Sequence, residues 1–208
     1  MKALRSILSW VLPIVAGIII ALVIKTFWFQ PVQVDGISME PNLSARERVL
    51  AFKNEDIHRG SVVIFDAYGE DPSVKKSNLF VKRVIGMPGD TVSAQGDVIK
   101  VNGKEINQDY LGANDKVATT EPDSGMVGNW KSLTDLGNNM NWERDKSVKV
   151  PEGQYFVLGD NRAVSNDSRY WGYVSKEKIM GVVKVPFWGK AAQKENVNNQ
   201  WETFYKEK

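Results

Sequence analysis

Cysteine is absent from this 208-residue chain, and histidine occurs once, as His58. Without cysteine there is no disulfide, no thiol nucleophile and no cysteine-based zinc site, and an oxidising compartment imposes no constraint, so export is permitted. A single histidine rules out multi-histidine metal centres and leaves one candidate base for a Ser-His-Asp triad. Followed by Arg59-Gly60, His58 reads as a turn residue rather than that base. An excess of one charge is also lacking: 27 Lys and Arg stand against 25 Asp and Glu, spread along the chain, for a formal charge of +2. There is no basic stripe of the kind phosphate backbones require, and nucleic acid is not an expected partner. No internal repeat is evident. Less any membrane segment, a chain of this length holds one modest domain or a small pair sharing a core, and catalysis needs a base other than histidine.

What the chain does have, at its start, is a long uncharged apolar run. Ser6 to Ile24 reads SILSWVLPIVAGIIIALVI, and roughly 19 residues at ~1.5 Å rise come close to crossing a ~30 Å hydrocarbon layer. A buried globular helix would carry a polar stripe, and a cleaved leader would be followed by small residues. Here Lys25, Thr26, Phe27, Trp28 and Phe29 follow, so the segment is expected to stay attached as an anchor over residues 6–25. Pro13 is expected to kink it. Lys2 and Arg5 precede the run and only Lys25 closely follows, which by the positive-inside rule predicts a cytoplasmic stretch at 1–5 and a single-pass protein of the cell membrane. Trp28 and its two Phe neighbours sit where an aromatic belt would meet the outer interface. Everything from about Gln30 onward is then extracytoplasmic.

Beyond Gln30 the apolar residues come in short runs rich in Val, Ile and Phe, bounded by Gly, Asp, Asn or Pro: Val32–Val34, Arg48–Phe52, Ser61–Phe65, Leu79–Ile85, Val98–Val101, Gln154–Leu158 and Gly181–Val185. Such runs predict strands, and their number predicts a mainly β domain over 30–190. The stretch from Gly112 to Lys146 is polar, carries Gly-Asn and Pro-Asp turn signals and shows no sustained period. It reads as loops or a small flap within a non-catalytic insertion at about 95–150. Residues 191–208 form a polar tail, expected to fray.

With no usable triad, a hydrolase can activate serine by a lysine whose amine is neutral. A free lysine is only about 0.1% neutral near pH 7.4, so the base must sit in an apolar setting. Leu79-Phe80-Val81-Lys82-Arg83-Val84-Ile85 offers one: strand alternation puts Phe80, Lys82 and Val84 on one face and Val81, Arg83 and Ile85 on the other. On this segment alone, an exposed strand lysine is the plainer reading.

Three motifs change that balance. Gly36-Ile37-Ser38-Met39-Glu40-Pro41 resembles the Ser-Met-x-Pro nucleophile motif of bacterial type I signal peptidases, the leader peptidases of peptidase family S26. Val81-Lys82-Arg83-Val84-Ile85-Gly86-Met87-Pro88-Gly89-Asp90 looks like the lysine motif of that family. Gly159-Asp160-Asn161-Arg162-Ala163-Val164-Ser165-Asn166-Asp167-Ser168-Arg169 is similar to its Gly-Asp-Asn-Arg-x-x-Ser-x-Asp-Ser-Arg block. The three follow one another in family order behind an apolar anchor, and the likeness is to the Gram-positive type. It covers most of the chain and is weakest between about Gly112 and Lys146 and in the tail.

The resemblance implies a signal-peptidase-like β-sheet catalytic domain with a small inserted flap behind one transmembrane helix. It implies Ser38 as nucleophile, Lys82 as general base and Ser165 as the residue that orients the lysine amine. Asp160, Arg162, Asp167 and Arg169 would be supports, opposite charges two residues apart locking one loop. The substrates it implies are signal peptides of exported preproteins with small residues at −3 and −1, bound along Gln33, Val34, Asp35, Gly36, Ile37, Phe80 and Val81. No cofactor, metal or nucleotide is implied. The lipid bilayer and the secretion translocon are the expected neighbours. Met39, beside the nucleophile, is open to either lipid contact or core packing. Three positions depart from the commoner family pattern: Gly36 where some members have a serine that donates to the oxyanion, Asn42 in place of Thr, and Ser61 in place of Asp. Two rival readings carry other functions. A self-cleaving repressor protease shares the Ser-Lys site but has a DNA-binding helix-turn-helix where this chain has its apolar run. A non-catalytic surface assembly factor of the same fold would be announced by loss of Ser38 or Lys82, and both are present.

Overall fold

The computed structural model describes residues 2–112, 115–116 and 129–207. It opens on α1, Lys2–Phe27, an unbroken 26-residue helix that contains Pro13. Its stretch Trp10–Phe27 is, among the described residues, the one helix long and apolar enough to cross a membrane, and no part of it is buried against the rest of the chain. Trp10, Ile14, Ile18 and Leu22 all stand exposed, as suits a helix whose solvent is hydrocarbon. The helix therefore runs past the expected anchor at both ends. Its last carbonyls, which lack partners inside the helix, are met from the domain: Lys53 Nζ donates to Thr26 O at 2.8 Å and Asn54 Nδ2 to Phe27 O at 3.1 Å.

One residue later the chain enters a seven-stranded antiparallel sheet. Its spatial order is β1 (Phe29–Gln33), β2 (Arg48–Phe52), β10 (Ile179–Lys184), β3 (Val62–Asp66), β4 (Leu79–Gly86), β8 (Gln154–Leu158) and β9 (Val174–Ser175). Most of these strands are the expected apolar runs: β2 and β8 keep the expected bounds, and the others move by at most three residues at either end. The first run shifts most: Val34 follows β1 and is buried as core rather than forming a strand end. β9 is only two residues long and leaves no period to read.

Both faces of the central strands are covered, so β3 is apolar from Val62 to Phe65 rather than alternating. Along β3, Val62 and Ile64 pack with Val49, Val81 and Val183 on one face. Val63 and Phe65 pack with Val84, Val157 and Val182 on the other. Lys82 lies opposite Val63 in the β3–β4 register, which sets a lysine in the middle of an apolar sheet.

A three-stranded sheet, β5 (Val92–Gln95), β6 (Val98–Val101) and β7 (Lys104–Glu105), is inserted after β4. Asn102 and Gly103 turn β6 into β7 with φ of 52° and 77°, the left-handed pair that a tight hairpin demands and Asn-Gly supplies. The segment read as loops contains α2, Leu133–Asn139, whose N-terminus is capped by Ser132 Oγ accepting from the Asp135 N–H. Two turns are too short to show a period, yet Leu133 and Leu136 join Trp130, Trp142 and Phe156 in a third core cluster. Positions 113–114 and 117–128 of that segment lie outside the described residues.

The tail does not fray. Short α-helical and π-helical turns over Ala191–Lys194 and Glu195–Asn199 bring Val197 into the cluster around Val34 and Val49. Trp201 stacks on His58 with ring centroids 4.7 Å apart, and Phe204 is buried against the insertion. Val197, Trp201 and Phe204 are too widely spaced among polar residues to give a pattern, but Val197 and Phe204 are buried and Trp201, itself partly exposed, covers His58. Val197→Ala is expected to destabilise the full-length protein by about 2 kcal/mol in denaturant unfolding, the loss of two buried methyls; a frayed tail would lose nothing.

Candidate active site

Ser38 stands in the loop from Val34 to Glu47. The loop is closed at its base by Val34 N–H to Glu47 O at 2.9 Å and Arg46 N–H to Val34 O at 2.8 Å. Met39 and Leu43 are buried in the core and pin the loop to the sheet, which decides Met39 for packing over lipid. Gly36 takes φ +76°, where a side chain would be strained.

Lys82 reaches Ser38 from the centre of β4, with Nζ 2.8 Å from Ser38 Oγ and 5.3 Å from the centroid of the Phe80 ring. Lys82 is buried, 4% exposed. Burial lowers its amine from 10.5 to about 8, against the carboxylates of Asp167 and Asp160, which pull it upward. A group ionising there is roughly one-fifth neutral at pH 7.4. The alternation read from the sequence holds: Lys82 shares its side with Phe80, and Arg83 points the other way.

The loop after β8 closes over this pair. Asn161 N–H donates to Ser38 O at 3.0 Å. A Cβ on Gly159 would stand 2.6 Å from Ser38 O and 2.1 Å from Ser165 Oγ, so only glycine allows the approach. Ser165 is buried beside it, but its hydroxyl has no hydrogen-bond partner among the described residues. The bond expected from Ser165 to the lysine amine is thus not made in this arrangement; the bond of the amine goes to Ser38.

The expected lock within the loop is half right. Arg169 does pair with Asp167, Nε to Oδ1 at 2.8 Å, and Gly159 N–H donates to Asp167 Oδ2. Burial would raise the Asp167 carboxyl, but Arg169 and these hydrogen bonds hold it below its usual range. Asp160, however, does not pair with Arg162. Its two oxygens take the Nε and Nη2 of Arg83 at 2.8 and 2.7 Å, and Asn42 Nδ2 adds a third bond at 2.9 Å. Arg162 turns instead to Gly159 O, Gln108 Oε1 and the Tyr110 hydroxyl. The Arg83 guanidinium lies 4.2 Å from the centroid of the Tyr110 ring. Sequence reasoning noted Asn42 as a departure from the family pattern and placed Arg83 opposite Lys82, but gave neither a role in the site, and it passed over Gln108 and Tyr110. The one available signal was an arginine between Val81 and Ile85 on the face of β4 opposite Lys82, a position that is buried and needs a carboxylate from elsewhere. Ser61, the other departure, accepts the His58 N–H through Oγ and shapes that turn.

An open cleft of about 420 Å³ runs past Ser38 and Lys82. β1 and β4 are four places apart in the strand order, so the sheet must curl to make them its opposite walls. Of the expected pocket residues, Gln33, Asp35, Phe80 and Val81 line the cleft. Val34 does not, being turned into the core, and Gly36 and Ile37 lie beyond the lining. Pro31, Leu79 and Asn166 line it without having been foreseen. β1 is the outermost strand, hydrogen-bonded to β2 alone, so its far edge can receive an extended chain. A serine hydroxyl held by a buried amine at the floor of such a groove can attack a peptide carbonyl.

Known proteins are similar in sequence to most of this chain. Residues 7–188 match the family model "Signal peptidase, peptidase S26". Signal peptidase IB of Staphylococcus aureus strain COL is 35% identical over 198 residues, 93% of this chain and 96% of that protein. Signal peptidase I of Bacillus licheniformis is 38% identical over 188 residues, 88% of this chain and 89% of that one. Among solved structures, a signal peptidase I from Enterococcus faecalis V583 superposes with a TM-score of 0.43 at 34% identity, covering 62% of this chain and 97% of that chain.

Proposed function

The chain belongs to the S26 family of signal peptidases, hydrolases that remove signal peptides from exported preproteins, and we propose that it does so through Ser38 as nucleophile and Lys82 as general base. The observation that carries this assignment is the 2.8 Å contact between Lys82 Nζ and Ser38 Oγ with the amine buried. In its neutral form Lys82 takes the Ser38 proton as Oγ attacks the scissile carbonyl. The resulting ammonium gives that proton to the departing amine of the mature protein. Water, deprotonated by the same lysine, then releases the leader from the acyl-enzyme. The Ser38 backbone N–H is the first donor to the tetrahedral oxygen. Gly36 brings no hydroxyl, so a second donor comes from backbone or water.

The leader would lie extended along the free edge of β1, with its small −3 and −1 side chains entering the space walled by Val32, Phe80 and Val81. The apolar helix α1 would hold the domain at the bilayer, with its N-terminus on the cytoplasmic side and the cleft outside, where leaders emerge from the translocon.

The reading is tested by the pH dependence of cleavage. The active form is the deprotonated lysine, so kcat/KM of the full-length, detergent-solubilised protein on a precursor with an Ala-x-Ala leader rises with pH. The limb is governed by one ionisation near 8, where burial places Lys82. A profile flat across that range, or one rising only at the ordinary lysine value, rejects Lys82 as the base.

A further inference from the structure

Asn166 is the one side chain of the closing loop that lines the cleft, and neither the dyad nor its charged supports use it. It is exposed, between buried Ser165 and buried Asp167. Its amide nitrogen Nδ2 donates to Asp71 Oδ2 at 2.5 Å. Asp71 lies 95 positions earlier, in the connection between β3 and β4, and is itself buried, 3% exposed.

That contact fixes which end of the amide faces the groove. As a carboxylate Asp71 can only accept hydrogen bonds, so the NH₂ of Asn166 must turn toward it and the carbonyl oxygen Oδ1 must turn away. Among the described residues Oδ1 has no partner, which leaves an oriented acceptor in the cleft that Ser38 and Lys82 also line. The platform that orients it is well braced. Asp71 Oδ1 accepts the Ser73 N–H at 2.8 Å, and the Asp71 N–H donates to Ala67 O. Next to it, buried Glu70 takes Arg144 Nη1 at 2.5 Å and so ties the connection to the insertion. An exposed asparagine ordinarily samples several rotamers; this one is tethered at one end and free at the other.

An extended peptide in the groove spends one set of its backbone groups on the edge of β1, whose donors and acceptors alternate along the strand. Its N–H groups near the scissile bond that face the other wall need acceptors there, or they are buried unpaired. We propose that Asn166 Oδ1 accepts a backbone N–H of the bound substrate within a residue or two of the scissile bond, and that Asp71 holds it in place for this. Asn166 is then a substrate-binding residue and Asp71 a positioning residue. The inference rests on the peptidase reading of the same cleft.

The test is a cycle between enzyme and substrate. A peptide with a cleavable leader is prepared in versions that each carry one N-methylated amide, from the fourth residue before the scissile bond to the second after it. Each is cleaved by the full-length protein and by its Asn166→Ala variant. Methylation alters peptide conformation for both enzymes alike, so only a lost hydrogen bond to Asn166 makes the penalties differ. The expected result is one position at which methylation lowers kcat/KM about tenfold more in the unaltered protein than in the variant, the worth of one such bond. Asp71→Asn, which frees both amides to flip, should shrink that difference while leaving the pH limb of the dyad where it was. Equal penalties at every position overturn the inference and leave the Ser38–Lys82 reading standing. Failure of the unaltered protein to cleave the unmethylated peptide overturns both.

Discussion

Ser38→Ala and Lys82→Met each lower kcat for leader cleavage by about 10⁴-fold or more, and the double variant is no worse than either, because nucleophile and base act as one unit. The two variants differ in stability, and this separates loss of chemistry from loss of fold. The Lys82 amine ionises at about 8 in the folded protein, against 10.5 when unfolded. Below pH 8 it is charged in both states, and folding bears the full cost of burying that charge. Between 8 and 10.5 the folded protein releases its proton first, so stability rises with pH and the cost fades. Methionine carries no charge to bury. Lys82→Met is therefore expected to raise unfolding stability at pH 7 by something on the order of 3 kcal/mol, with the gain shrinking as pH approaches 10. Denaturant unfolding of both proteins at the two pH values measures it. An inactive variant that is also less stable at pH 7 would mean that Lys82 is held there as a structural cation.

Much of this site was legible in the chain because its parts are short and local. Alternation along β4 placed Lys82 and Arg83 on opposite faces, and the three motifs together, rather than the strand by itself, marked Lys82 as the base over an exposed strand lysine. What stayed hidden was pairing between distant segments. Asp160 and Arg162, two residues apart, look like partners in one dimension, yet Asp160 reaches back 77 positions to Arg83. Arg162 reaches 54 positions to Gln108. A guanidinium in a strand interior shows that a carboxylate must come, but not from where. The tail was obscured for a different reason: Val197, Trp201 and Phe204 carry its packing from positions with no common period, so composition alone made it look solvated. The same limit applied to Asn166, whose role depends on a carboxylate brought in from the far end of another connection.

The Arg83–Asp160 pair carries the second large effect. Both side chains are fully buried, and around them meet Asn42 from the nucleophile loop, Tyr110 from the insertion and the strand that bears Lys82. Arg83→Met leaves the Asp160 carboxylate without its counter-charge in a dry interior, and Asp160→Leu does the same to the guanidinium. Each is expected to cost about 3–5 kcal/mol in unfolding free energy. Removing both charges together should recover a large part of that loss, with a coupling of about 2 kcal/mol or more, because no lone ion is left behind. Activity should not recover in step. The pair fixes the distance between the loop of Ser38 and the strand of Lys82, and a shift of about 1 Å in reacting groups is enough to slow catalysis roughly a hundredfold. The double variant is thus expected to fold nearly as well as the unaltered protein while cleaving far more slowly. A double variant that regained its rate along with its stability would show that Ser38 and Lys82 are held together by apolar packing around Met39, Leu43 and Val81 alone, with the buried ions contributing nothing to their alignment.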